Sequence, residues 1–212
     1  MHEDVTHSAR ARVTIPARVR DVLRRATQDI HDRLHGHMMF RRLFERTITR
    51  DEYLVLLVRL YGFHRPLETA LYKHQDRQHG LEMKQRRRVH LLVADLKALG
   101  LTQAVIAGLP LAPPPSGLDN AGRFLGCLYV REGATLGGRV LAGRIDHLLG
   151  SAVDGRRFFA GTNRDSELWR GCCAAIESLT DVERLESMKA AAYETFESFE
   201  SWINGLEMQM RR

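Results

Sequence analysis

The sequence is short of cysteine, proline and aromatic side chains, and it has no long apolar run. Three cysteines stand among 212 residues, Cys127 and the adjacent Cys172 and Cys173. An odd count with two neighbours excludes a disulfide framework and points to a reducing, cytoplasmic compartment. The longest stretch free of charge, Ala98 to Leu118, matches a bilayer in length. Gly100, Gly108, Pro110, Pro113, Pro114, Pro115 and Gly117 make it a loop instead, so no membrane association is expected. The opening MHEDVTHSARARV has no apolar segment behind its charges, which speaks against a secretory signal. Sustained period-two alternation is missing, so a sheet-based fold is not expected. Also missing are a Gly-x-Ser-x-Gly elbow, a P-loop and a dinucleotide fingerprint, and with them the chemistries those motifs serve.

What is present is enough for one packed domain, with 44% hydrophobic and 27% charged residues. Apolar positions recur at helical spacing almost throughout, and the chain reads as all-α. Residues 1–13 read as a mobile basic arm, and 14–212 as a single helical domain. Val19, Val22, Leu23, Ala26, Ile30 and Leu34 form the stripe of a first helix that starts after Pro16 and breaks at Gly36. Thr49 and Glu52 have capping-box spacing, Ile48 can staple onto Tyr53, and the helix they open runs to about Gln78. Further helices are expected over 81–99, 119–149, 164–178 and 181–206, the last with a box from Thr180 and Glu183.

Charge is uneven: residues 1–90 carry a net +8, whereas 91–212 carry −2. The run Lys84-Gln85-Arg86-Arg87-Arg88 lies in a helical pattern without interleaved aromatics, which favours a solvated face or an acidic protein partner over nucleic acid.

Two places depart from ordinary helix composition. In LYVREGATLGGRVLAGRIDHLL, four glycines (Gly133, Gly137, Gly138, Gly143) interrupt a helix, at a cost of about 3–4 kcal/mol relative to alanine. Close helix packing, a kink, or backbone approach to a flat bulky ligand would each account for them. In LRRATQDIHDRLH, His31 lies at the edge of the buried stripe, where it can ligate a metal while its helix stays packed, or be an ordinary histidine with its hydrogen bonds satisfied. Arg24, seven residues earlier, lies on the same face about 10 Å nearer the N-terminus at about 1.5 Å per residue, in reach of a ligand carboxylate. His31 and His35 have zinc-pair spacing but no third ligand, and the paired Glu-x-x-His motifs of a di-iron bundle are missing.

The His31 segment followed much later by LYVREGATLGG resembles heme oxygenase, in particular the biliverdin-producing bacterial type associated with bacteriophytochromes. The likeness runs from about Val19 to Leu206. It implies an all-α heme oxygenase-like bundle that holds heme between the first helix and the glycine helix. Heme would be both cofactor and substrate, cleaved with O2 and reducing equivalents to biliverdin, CO and Fe2+. On that resemblance His31 is the proximal iron ligand, and a polar partner on its other nitrogen orients the ring. Arg24 and Tyr129 are the propionate contacts, Phe199 packs against the porphyrin or simply in the core, and Gly133, Gly137 and Gly138 form the distal wall. Electrons would come from a ferredoxin, flavodoxin or reductase, steered by the basic first part of the chain, and a bacteriophytochrome is the candidate acceptor of biliverdin.

One position breaks the pattern: many members place Asp directly after the first distal glycine, where this chain has Ala134. Water held by Arg131, Glu132 or Arg139 is one substitute for that acid; the alternative is that all three are exposed helix residues. Ala134 also motivates a second reading, a heme-binding or storage protein of the same fold with little or no turnover. A helical interaction protein whose glycines serve packing alone is a third.

Overall fold

The computed structural model describes residues 18–74, 80–179 and 181–205. The expected N-terminal arm, Gln78, Thr180 and Leu206 lie outside these ranges. Among the described residues there is no strand, and the helices are α1 (Val19–Ala26), α2 (Gln28–Gly36), α3 (Met38–Phe44), α4 (Arg50–Lys73), α5 (Val89–Ala98), α6 (Gln103–Ala107), α7 (Ala121–Ala142), α8 (Asp146–Leu149), α9 (Arg157–Ala160), α10 (Asp165–Glu177) and α11 (Val182–Asn204). No described helix is long and apolar enough to cross a membrane.

The expected first helix is two. Thr27, at φ −116° and ψ 5°, separates α1 from α2, and its hydroxyl donates to the Leu23 carbonyl at 2.9 Å. Such back-bonding competes with the helical ladder and bends it. The apolar stripe continues in phase across the break, with Val19, Leu23, Ile30 and Leu34 all buried. The expected helix over 81–99 is corrected as well: a 3-10 turn at Met83–Arg86 precedes α5. The Glu68 carboxylate from α4 accepts from the backbone N–H groups of Arg88 (2.6 Å) and Val89 (3.1 Å), which starts α5 at Val89. Arg86 and Arg88 are therefore buried, while Lys84, Gln85 and Arg87 are exposed, so the basic run is not a uniformly solvated face.

The capping box at α4 forms: Thr49 Oγ1 accepts from the Glu52 N–H, and the Glu52 carboxylate accepts from the Thr49 N–H at 2.8 Å. At the start of α11 the capping side chain is Asp181, which accepts from Glu183 and Arg184. Within α4, Pro66 has no N–H to give the Gly62 carbonyl four residues back. That carbonyl accepts instead from the Ala112 N–H at 3.0 Å, which ties the proline-rich loop to α4.

Apolar side chains form two cores. One joins α1, α7, α10, the second half of α4 and α11; the other joins α3, α5, the first half of α4 and the α9 region. Phe199 of α11 packs against both. The closest helix pair is α7 with α11, and its glycines are Gly122 and Gly126. A Cβ on either would collide with the α11 backbone, at the carbonyl oxygens of Arg184 and Met188. Close backbone packing of α7 on α11 is thus the work of these two glycines, four residues apart, whereas a Cβ at Gly133 would meet the Trp169 ring of α10 and one at Gly137 nothing within 4 Å.

Gly126→Ala is expected to destabilise the protein by about 1–3 kcal/mol, because backbone on the facing helix cannot yield as a side chain does. Urea denaturation checks this, with Gly143→Ala as control, since a Cβ at Gly143 meets nothing within 4 Å.

Candidate functional site

A helix turns about 100° per residue, so Tyr129, Gly133, Leu136, Gly137 and Val140 share one broad face of α7, opposite Arg131, Thr135, Gly138 and Ala142. On the first face the protein leaves room. A Cβ at Gly137 would meet nothing within 4 Å, and one at Gly133 would meet only the Trp169 ring, at 3.6 Å. Leu136 and Val140 beside them are exposed, at 39% and 58%. Together they make an exposed apolar strip beside the two glycines. Gly138 faces the other way, with its Cβ position 3.4 Å from the Phe159 carbonyl oxygen of α9. Gly143 is the C-cap residue of α7, outside the helix proper.

One end of this face is ringed by α1 and α10. The Glu177 carboxylate at the end of α10 accepts from the N–H groups of Val19 (2.9 Å) and Arg20 (3.1 Å), which caps α1 and fixes it on α10. Arg24 is exposed on α1. Burial pushes the Tyr129 hydroxyl above the usual phenol range, aided by Cys173, while the charges of Arg24 and Arg20 pull the other way. Arg24 and Tyr129 are therefore brought within electrostatic reach of each other, and Tyr129 stays a hydroxyl donor. Its ring centroid is 5.6 Å from that of Trp169, the residue against Gly133. Tyr129, Trp169 and Gly133 are thus contiguous, with Arg24 on the neighbouring α1.

His31, on α2, is a second group. Its side chain is 48% exposed, its Nδ1 lies 3.5 Å from Asp32 Oδ1, and its ring centroid is 4.4 Å from that of His35. Burial lowers the pKa of His35, and the His31 charge lowers it further. The aromatic beside His31 is Phe196, edge-on at 6.1 Å, and not Phe199. Phe199 sits among Phe63 (4.8 Å) and Phe40 (6.1 Å). Among the described residues, no hydrogen bond or ring contact joins His31 to the Gly133–Gly137 face. α1 and α2, meeting at Thr27, link the two groups. A cavity lined by Arg33, His37, Arg41 and Glu200 lies between α2 and α11, and His31 is not among its lining residues.

The reading of Arg131, Glu132 and Arg139 as exposed helix residues is corrected for two of them. Arg131 and Glu132 are 3% and 1% exposed. Arg131 Nη1 donates to Glu132 Oε1 at 2.6 Å, and its Nη2 to Glu68 Oε2 at 3.2 Å. Arg139 is exposed and donates to the Thr162 carbonyl at 2.6 Å. All three are thus engaged with protein partners, and Ala134 is exposed between them. Phe196 and Trp169 were missed in the sequence because neither interrupts its helical pattern. The only signal for Phe196 is its place one turn before Phe199.

The helix order and the two-core bundle define an all-α protein, and its fold is that of a heme oxygenase. Residues 17–101 match the heme oxygenase family model. The chain is 38% identical over 107 residues, half its length, to a heme oxygenase of Xanthomonas campestris pv. campestris (strain 8004), and the match spans 58% of that relative. Its fold is similar to that of the crystal structure of heme oxygenase-1 from the cyanobacterium Synechocystis sp. PCC6803 in complex with heme, with a TM-score of 0.70 over 91% of this chain and 94% of that one, at 15% identity.

Gly137→Ala is expected to stabilise the ligand-free protein by about 0.5–1 kcal/mol, since alanine is the better helix former and its Cβ enters open space. On the heme-site reading proposed below, the same methyl enters the strip that receives the ring, so hemin affinity should fall. Thermal unfolding and hemin titration of one variant read both effects.

Proposed function

We propose that the chain is a heme oxygenase in activity as well as in fold, opening heme to biliverdin, CO and Fe2+ with O2 and external electrons. The observation that carries this reading is the Gly133–Gly137 strip, an apolar helix face whose glycines meet no described side chain apart from Trp169. The residues present suit a flat, apolar, dianionic ring. Backbone at Gly133 and Gly137 can approach such a ring closely, with Gly138 supporting α7 from behind. Arg24 supplies a cation and Tyr129 a hydroxyl donor for propionates at the rim. Phe196 and Phe199 supply apolar surface from α11.

His31 is the proposed iron ligand. Asp32 Oδ1 lies on the Nδ1 side, so an N–H there would leave the Nε2 lone pair for metal. When bound, heme supplies both the iron at which O2 is activated and the macrocycle that is opened. What the chain adds is placement of the ring, exclusion of side chains from its distal side, and cations at its carboxylate edge.

Electrons come from a ferredoxin, flavodoxin or reductase of acidic surface, for which the basic first ninety residues are the docking side. A bacteriophytochrome in the same cytoplasmic compartment is the proposed acceptor of biliverdin. The second reading, heme binding without turnover, draws on Ala134, which leaves the position after the first distal glycine without an acid.

His31→Ala should fold with unchanged stability, because an exposed side chain is removed, yet lose the normal ferric heme spectrum and turnover. An unaltered spectrum and rate would reject His31 as the ligand. Turnover supported by the acidic protein donor should fall steeply with added salt while turnover with a small reductant does not. Equal salt sensitivity would reject the docking role of the basic half.

A further inference from the structure

The open face of α7 poses a mechanical question: what holds this helix in place where, among the described residues, Trp169 alone packs against the glycines of that face? The opposite face offers little apolar surface, since Thr135, Gly138 and Ala142 are small. The long side chains behind it are charged. Glu132 Oε1 takes the Arg131 guanidinium at 2.6 Å and faces Arg86 Nη1 at 3.4 Å. Arg131 also reaches Glu68 Oε2 and the Arg86 carbonyl. Glu68 in turn receives the N–H groups that start α5, and Arg86 Nη1 donates to the Leu168 carbonyl of α10 at 2.9 Å. Leu168 immediately precedes Trp169, the side chain that touches Gly133. All four charged side chains are 10% exposed or less. Arg87 lies 3.6 Å from Glu68, and Arg88 pairs with Asp165 at 2.8 Å on the same side.

We infer that this Glu68–Arg131–Glu132–Arg86 network sets the position of the Gly133–Gly137 face relative to Trp169, which makes Arg131 and Glu132 positioning residues for the ligand that lies there. Buried ion pairs add little net stability because desolvation offsets their attraction, but their fixed geometry specifies one arrangement over its neighbours. Both ends of the network act on the same strip, one through the α7 backbone and one through the backbone beside Trp169. The inference rests on the reading of that strip as the heme wall, and its test is split so that the two can fail separately.

Glu132→Gln keeps the size and drops the charge, while Arg131→Lys keeps the charge and drops the planar fork. Hydrogen exchange on the ligand-free variants and hemin titration on the same samples are the two measurements. The expected result is at least about tenfold faster exchange at residues 133–141, with α11 amides unchanged. Hemin affinity should fall about tenfold in parallel, with an altered absorption spectrum. Unchanged exchange, or acceleration spread evenly over all helices, overturns the inference; so does hemin binding of unchanged affinity and spectrum in variants that are merely less stable. A wild-type chain that does not bind hemin rejects the heme reading, and the exchange result still decides whether the network positions α7.

Discussion

A helix with one face stripped of side chains has to be held from its other sides, and most of this structure follows from that constraint. α7 gives up the packing that Gly133 and Gly137 would otherwise contribute. It recovers its hold through contacts of two other kinds. Near its start, Gly122 and Gly126 let the α11 backbone come into direct contact, where dispersion over many atoms is strongest. Behind its middle, Arg131 and Glu132 are locked into ion pairs with Glu68 and Arg86. Glycines of one helix thus do opposite things: two admit a neighbouring helix, and two keep a surface clear.

The same economy of backbone contact recurs in α4. Pro66 releases the Gly62 carbonyl to the Ala112 N–H. A Cβ at Gly62 would strike the Pro110 carbonyl oxygen and the Trp202 ring, each at 2.6 Å. The proline-rich loop is therefore seated on α4, and Trp202 closes the end of α11 by donating to the Arg59 carbonyl at 2.9 Å. With α4, α7 and α11 fixed in this way, α1 and α2 lie against the bundle and carry Arg24 and His31. They are attached by a carboxylate cap from Glu177, a stripe of four buried aliphatic side chains, and polar contacts with α11 in which Arg33 donates to Glu200 and Tyr193 to Asp29.

Much of the bundle was readable from local rules. The Thr49–Glu52 box, the loop forced by three consecutive prolines and the all-α class depend on short-range spacing, and the structure reproduces each. The break at Thr27 was hidden because the apolar stripe keeps its phase through it. The start of α5 was hidden because a carboxylate twenty residues away determines it. Gly122 and Gly126 were passed over in favour of the more conspicuous cluster downstream, since sequence spacing does not say which face of a helix meets a neighbour. For the same reason Arg131 and Glu132 read as surface charges: their partners come from α4 and from the turn before α5. Arg24 and Tyr129 were singled out through the family likeness; Trp169 and Phe196 became visible only in the folded chain.

The central claim is that the bare face of α7 serves to hold heme for its own oxidation. The most direct test adds hemin to the purified protein, confirms a one-to-one complex by absorption, and then supplies a competent reductase under air while the spectrum and released CO are followed. The account predicts loss of the heme bands, growth of biliverdin absorption and CO in equal amount, despite alanine at position 134. A one-to-one complex whose heme stays intact through repeated reduction in air would contradict it and assign the same pocket to heme binding alone.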